Sequence, residues 1–257
     1  MLRMEVRSSK YEDFVSHDLE RYLGWHRRAL ENPPDQYKAC AALITEKALN
    51  LPDHDESGLS LLNVCTGNGS LLSYLHSKFP SFKFVGIDTV KELIVDGSAL
   101  QKTYGNIDLV HAPIKYLHDQ AKTYDICVHW MRLLHFSDWQ EHLLGMMKVT
   151  KTNGHIFVSS LFNDHDVDLL ATILDHNIKA CQEGFALQYN TFSCEQIRKF
   201  CVEHGASTVA FYPYEIPFDI PRQKSGVGSY TLTKTDGKRE TISGGVRMQW
   251  NFLHIQM

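Results

Sequence analysis

The sequence predicts an α/β protein built on a mostly parallel sheet covered on both faces. Three observations carry that prediction. Strand-length apolar runs alternate with helix-length amphipathic stretches from Ser60 to Tyr214. The run Leu61-Leu62-Asn63-Val64 breaks into Cys65-Thr66-Gly67-Asn68-Gly69 and resumes at Ser70 as a helix pattern. A second run, Phe82 to Ile87, then ends on Asp88. A strand running through a glycine turn into a helix N-terminus, with a carboxylate closing the next strand, is how α/β proteins seat a ligand's charged end and its ribose. These residues point to an adenosine-type cofactor.

Taken in order, the chain opens with two amphipathic helices, Tyr11 to Leu30 and Asp35 to Leu49, parted by Asn32-Pro33-Pro34. Strands are expected at Ser60–Cys65, Lys83–Asp88, Ile107–His111, Asp125–Trp130, Gly154–Leu161 and Ser207–Tyr214. Helices are expected at Ser70–Lys78, Lys91–Thr103, Asp138–Lys148, Asp166–Glu183 and Ser193–His204. The end of the chain changes character. Ser229–Thr235 and Arg239–Ser243 flank Asp236-Gly237, a strong hairpin signal, and Arg247–Ile255 reads as one last antiparallel strand.

Composition removes whole classes of function. The chain has 257 residues, 43% of them hydrophobic and 22% charged, with a net charge of −4. That is one ordinary globular domain without the basic field that phosphate neutralisation needs, so no nucleic-acid partner is expected. No apolar run reaches membrane-spanning length and the start has no apolar signal region, so neither membrane nor export is expected and the location is read as cytoplasmic. The six cysteines show neither a CxxC pair nor a secreted-scaffold spacing and read as reduced thiols.

Five βα units followed by a strand and an antiparallel last strand resemble the class I S-adenosylmethionine-dependent methyltransferases. The resemblance runs from about Leu59 onward. Its carriers are Asn63 to Gly69, Asp88, the segment Tyr124 to Trp130 with Leu133-Leu134-His135, Lys151-Thr152-Asn153-Gly154-His155, and Phe192-Ser193 with Glu203-His204-Gly205. It implies a Rossmann-like sheet of seven mostly parallel strands with an antiparallel last strand, N-terminal helices and an extra C-terminal β-hairpin. Residues 1–57 would form a helical lid, 58–212 the cofactor-binding core and 213–257 the strands that complete sheet and substrate pocket.

By the same resemblance the cofactor is S-adenosylmethionine. Asn63, Cys65, Thr66, Gly67 and Gly69 would line its amino-acid tail, and Asp88 with Thr89 its ribose. His111, Ala112 and Ile114 would face adenine, and His129, Trp130 and Met131 the methyl group and the substrate. Three positions depart from the family. Asn63 stands where an acid usually holds the ammonium group, Ala112 where an acid accepts from adenine, and Cys65 where the first loop glycine sits. The last exchange is compatible with the loop only if φ at Cys65 is negative.

Methyl transfer from a sulfonium is an in-line displacement, so the protein positions a nucleophile and removes its proton. Neutral imidazoles suit the second task, which makes His129 and His135 the first candidate bases, with Tyr11 and His26 more distant ones. Tyr22 and Trp25 on the lid and Phe218, Arg222 and Lys224 in the late insertion are candidate substrate contacts. A metal-assisted mechanism would need carboxylates after both central strands; Asn163-Asp164-His165-Asp166 offers ligands after one of them only, so no metal is expected. The expected partner is a small-molecule hydroxyl or amine, with a homo-oligomer open. Two rivals remain: a non-catalytic homologue that binds cofactor or acts as a scaffold, and a nicotinamide-dependent oxidoreductase. Leu72 at the position where that fingerprint needs its third glycine counts against the oxidoreductase.

Overall fold

The structure, a computed structural model, describes residues 7–8, 11–49, 58–222, 229–243 and 246–257. Seven strands form the continuous path of the main sheet: β1 (Ser60–Val64), β2 (Lys83–Asp88), β3 (Ile107–His111), β4 (Tyr124–Trp130), β5 (Thr150–Asn163), β6 (Thr208–Pro213) and β7 (Trp250–Gln256), and an eighth, two-residue strand, Phe192–Ser193, pairs with the end of β5 off that path. Their spatial order is β6-β7-β5-β4-β1-β2-β3. The strands from β1 to β5 run parallel, and β7 runs antiparallel to both β5 and β6. This is the predicted class I methyltransferase sheet.

Side-chain alternation decides which helices cover which face. Leu61, Phe84, Ile126, Val128 and Phe157 point to one side, where Tyr37, Cys40 and Ile44 of α3 (Asp35–Ile44) and Leu71, Leu72 and Leu75 of α4 (Ser70–Lys78) close over them. Leu62, Val64, Cys127, Ile156, Val158 and Leu253 point the other way, onto α6 (Trp139–Val149) and α8 (Cys194–Glu203). The N-terminal helices begin with α1 (Tyr11–His17) and α2 (Leu19–Glu31). In α2 Leu23, His26 and Ala29 are buried at a three-residue spacing, which turns one stripe of the helix toward α4. Helix α5 (Lys91–Tyr104) follows β2. No helix among the described residues is long and apolar enough to cross a membrane.

Three expectations fail. The first helix, expected over Tyr11 to Leu30, is broken at Asp18 into α1 and α2. The stretch Asp166–Glu183 is not one helix: it holds the short strand Thr172–Ile173 and the single helical turn α7 (Lys179–Gln182). Its polar side chains are used locally instead. Asn163 Oδ1 accepts from the His165 backbone N–H, Asp168 from Ser193 N and Asp166 from Ser193 Oγ and Gln196 Nε2, while Val167, Leu169 and Leu170 stay exposed. Side-chain bonds to nearby backbone compete with the helix and win where no apolar face is buried. The last strand is also divided. Val246–Met248 joins Tyr230–Thr233 and Arg239–Ser243 in a separate three-stranded sheet, and the chain crosses to the main sheet at Gln249.

Candidate functional site

After β1 the backbone turns sharply, with φ of 55° at Cys65, 61° at Gly67 and 82° at Gly69. The expectation of a negative φ at Cys65 is therefore wrong; the thiol-bearing residue takes the left-handed conformation the family's glycine would take. The turn is tied to its surroundings by paired polar groups. Thr66 N–H donates to Ile87 O at 3.0 Å and Asn63 Nδ2 to Thr66 Oγ1 at 3.0 Å. Asp88 holds it from the next strand: its Oδ2 accepts from Gly67 N–H at 2.8 Å and its Oδ1 from Val90 N–H at 2.9 Å. Asn68 Nδ2 donates to Asp96 on α5, which also takes Arg27 of α2. Helix α5 comes this close because residue 97 is glycine: a Cβ there would lie 2.3 Å from the Asn68 carbonyl oxygen.

Between the ends of β1, β2 and β3 and the start of α6 lies a cavity of about 570 Å³. Cys65, Asp88, Thr89, Ala112, Ile114, His135 and His142 are among the residues lining it. Asp88 is 4% exposed, and burial pushes its carboxyl above the ordinary range against the pull of the Val90 and Gly67 N–H groups. A carboxylate has about four acceptor sites, so with two backbone bonds made it keeps capacity for a diol. Thr89 and Ala112 are where the sequence places them. His111 is not: it is exposed, outside the cavity lining, with its Nε2 at 3.0 Å from Thr89 O.

Helices α2 and α3 pack over the loop. His26 stands directly on Gly67, where a Cβ would meet its Cε1 at 2.1 Å, and burial pushes its imidazole down to about 3, so the ring is neutral. Tyr37 Oη lies 2.8 Å from Ser70 Oγ. A narrow pocket under these residues is lined by Trp25, His26, Tyr37, Asn63, Cys65, Thr66, Trp130, Met131 and Arg132. Arg132 lies 5.1 Å above the Trp25 ring, with no ion-pair partner among the described carboxylates. Sequence reading stopped one residue short of it; the only signal was a cation between two apolar residues where β4 ends. Asn63 Oδ1 is also buried without a partner.

Met131, at φ 61°, lines this pocket and also a second one of about 200 Å³ on the far side. Ser159, Tyr189, Tyr214, Ile216, Thr241 and Trp250 contribute to its wall, and none of its described lining residues is charged. The predicted substrate contacts divide. Trp25 lines the narrow pocket, whereas Tyr22 sets its ring edge-on against Tyr11 and Phe14 and supports α1. Phe218 is 39% exposed and Arg222 is exposed over the Tyr230 ring; neither lines the pocket, because the insertion folds them outward. Lys224 lies outside the described residues.

Of the two first candidate bases, His135 stands at the site and His129 does not. His135 donates Nδ1–H to Gln188 O at 2.9 Å, stacks on Tyr11 at 5.3 Å and is pushed by burial to about 3, which leaves Nε2 with a lone pair. His129 has no exposed surface and lies beneath the loop, its Nε2 3.0 Å from His142 Nδ1. Trp130 donates Nε1–H to Gln36 O at 3.0 Å, fixing α3 over the end of β4.

Comparison with known proteins agrees with this fold. The family model of a methyltransferase domain matches residues 61–154, the stretch from β1 to the start of β5. None of the curated protein sequences matches. Among solved structures, the 1,6-didemethyltoxoflavin-N1-methyltransferase of Burkholderia thailandensis, with its substrate and S-adenosylhomocysteine bound, is similar over 98% of this chain and 92% of its own, at 10% identity and a TM-score of 0.58. YcgJ of Bacillus subtilis is similar over 84% of this chain and 97% of its own, at 12% identity and a TM-score of 0.57. The cyclase SpnF is similar over 81% and 78%, at 11% identity and a TM-score of 0.58.

Proposed function

We propose that this chain, a methyltransferase domain on a class I sheet with S-adenosylmethionine as its cofactor, methylates a small, largely apolar acceptor at an oxygen or nitrogen. The observation that carries the acceptor class is the 200 Å³ pocket beyond Met131, walled by aromatic, aliphatic and hydroxyl side chains without a charge among those described.

The residues present fit the cofactor. Asp88 lines a cavity large enough for an adenosine and keeps acceptor capacity for its diol. Arg132 offers a guanidinium with no carboxylate partner beside the loop, and the amino-acid tail brings one. The polarity of tail recognition is then reversed from the family pattern, with a cation on the carboxylate and a neutral amide at Asn63. When bound, the cofactor supplies the methyl group and its own neutral leaving group. The chain's part is to orient both partners across Met131 and keep water out. The acceptor pocket has neither imidazole nor carboxylate in its described wall, so the acceptor arrives with its nucleophile already formed, as a free amine or an ionised acidic hydroxyl. His135 reaches that pocket only through Tyr189, whose ring packs edge-on against it at 5.7 Å.

Calorimetry with S-adenosylhomocysteine, followed by transfer assays on small neutral amines and phenols, tests this reading. Arg132→Ala is expected to weaken binding about tenfold to a hundredfold, the worth of one charge-assisted bond, with Arg132→Lys between. Wild-type affinity in Arg132→Ala would remove the tail contact. The missing base favours one second reading, that the pocket binds cofactor and acceptor without methyl transfer; a cyclase shares this fold. Tight cofactor binding with no methylated product across the panel would select it.

A further inference from the structure

Cys65, His129 and His142 converge below the loop, though they come from the β1 turn, the end of β4 and the middle of α6. Cys65 Sγ lies 3.9 Å from His129 Nε2, which lies 3.0 Å from His142 Nδ1, and the three atoms all fall within 4.8 Å of one another. Zinc bonds to nitrogen at about 2.0–2.1 Å and to sulfur at about 2.3 Å, which sets tetrahedral ligand atoms about 3.3–3.6 Å apart. The observed separations bracket that range.

We propose that Cys65, His129 and His142 form a binding site for a borderline-soft divalent cation, with zinc as its occupant. Three features support it. One sulfur and two imidazole nitrogens are a donor set that zinc prefers and that magnesium and calcium do not. Cys65 holds a left-handed φ that glycine would hold without strain, and a strained residue at a site asks for a function that repays it. Cys65 and His142 line the 570 Å³ cavity, so a metal held by three protein ligands would present its fourth position to that space, the arrangement of zinc sites that bind a further ligand.

Binding balances simply. The thiol loses its proton to solvent. Each imidazole stays neutral: the ring that donates the one proton between the facing nitrogens carries it on its own far nitrogen instead, and the other ring already holds its proton there, so His129 Nδ1 and His142 Nε2 both end as N–H. His129 Nδ1 is buried with no hydrogen-bond partner among the described residues, so the shift breaks no bond behind the ring and exchanges an unpaired lone pair for an unpaired N–H. One proton leaves per metal bound.

The test is a cobalt titration of the metal-free full chain, reduced and without cofactor, so its failure leaves the cofactor reading untouched. One equivalent of cobalt is expected to raise a thiolate-to-cobalt charge-transfer band, to be displaced by zinc and to release one proton. Cys65→Gly restores the residue the backbone prefers and is expected to fold, as judged by circular dichroism, with the band gone. His142→Ala is expected to weaken zinc at least tenfold in chelator competition. No band in the wild type, or the same band and zinc affinity in Cys65→Gly, would overturn the proposal.

Discussion

Cys65 concentrates the tension of the site in one residue. A left-handed conformation at a residue with a Cβ costs about 1–2 kcal/mol, and this thiol is only half-buried. Replacing it by glycine in the metal-free protein is therefore expected to raise the unfolding free energy by about 1 kcal/mol, read from urea denaturation; a clear loss would mean the thiol's packing outweighs the backbone. Asp88 behaves in the opposite sense. Asn at this position offers one acceptor oxygen to the two N–H groups of Gly67 and Val90, so Asp88→Asn should lose about 1–3 kcal/mol of stability and at least tenfold in S-adenosylhomocysteine affinity. A folded variant with unchanged affinity would make Asp88 a loop brace only. Asp88, Gly67 and Thr66 were legible because strand, turn and acid lie close together in sequence. Arg132 was not, and His26 was legible only as a distant candidate base rather than as the residue over Gly67, since both roles depend on an N-terminal helix and a strand end that meet only in the fold.

Helices α2 and α5 press on the loop through different contacts. Gly97→Ala improves helix propensity by about 1 kcal/mol but drives a Cβ into the Asn68 carbonyl, a backbone atom that cannot swing aside. A net loss of about 1–3 kcal/mol is expected, with weaker cofactor binding because Asn68 is displaced; thermal melts and calorimetry read the two effects. A stabilised variant would show that α5 can shift freely. Element boundaries followed the hydrophobic period closely where a face is buried: Ser70–Lys78, Lys83–Asp88 and Ile107–His111 agree in sequence and structure. Asp166–Glu183 failed because Val167, Leu169 and Leu170 meet solvent while Asp166 and Asp168 bond to Ser193, the cap of α8, and Asp175 makes a local turn. Periodicity without a surface to cover does not make a helix.

For the whole molecule, buried neutral histidines set the response to acid. His26 and His135 are held near 3, and burial also depresses His142 and His129, whereas an unfolded imidazole titrates near 6.5. Below that value the unfolded chain gains protons that the native one refuses. Stability is therefore full above about pH 6.5 and falls as pH drops toward 3, by about 1.4 kcal/mol per unit for each histidine. Urea midpoints are expected to be level from pH 8 to 7 and to drop steeply below 6; a level profile down to pH 5 would mean the rings take up protons in place.

The position of β7 sets a timetable for synthesis. Because Trp250–Gln256 is the strand between β5 and β6, those two strands have no partner for each other until the ribosome has passed residue 256. The first five strands can pair as they emerge, but β5 carries an open, apolar edge until Trp250–Gln256 docks on it. Until then that edge is open to other nascent chains, so the aggregation risk of the whole sheet turns on how soon this one strand finds its place.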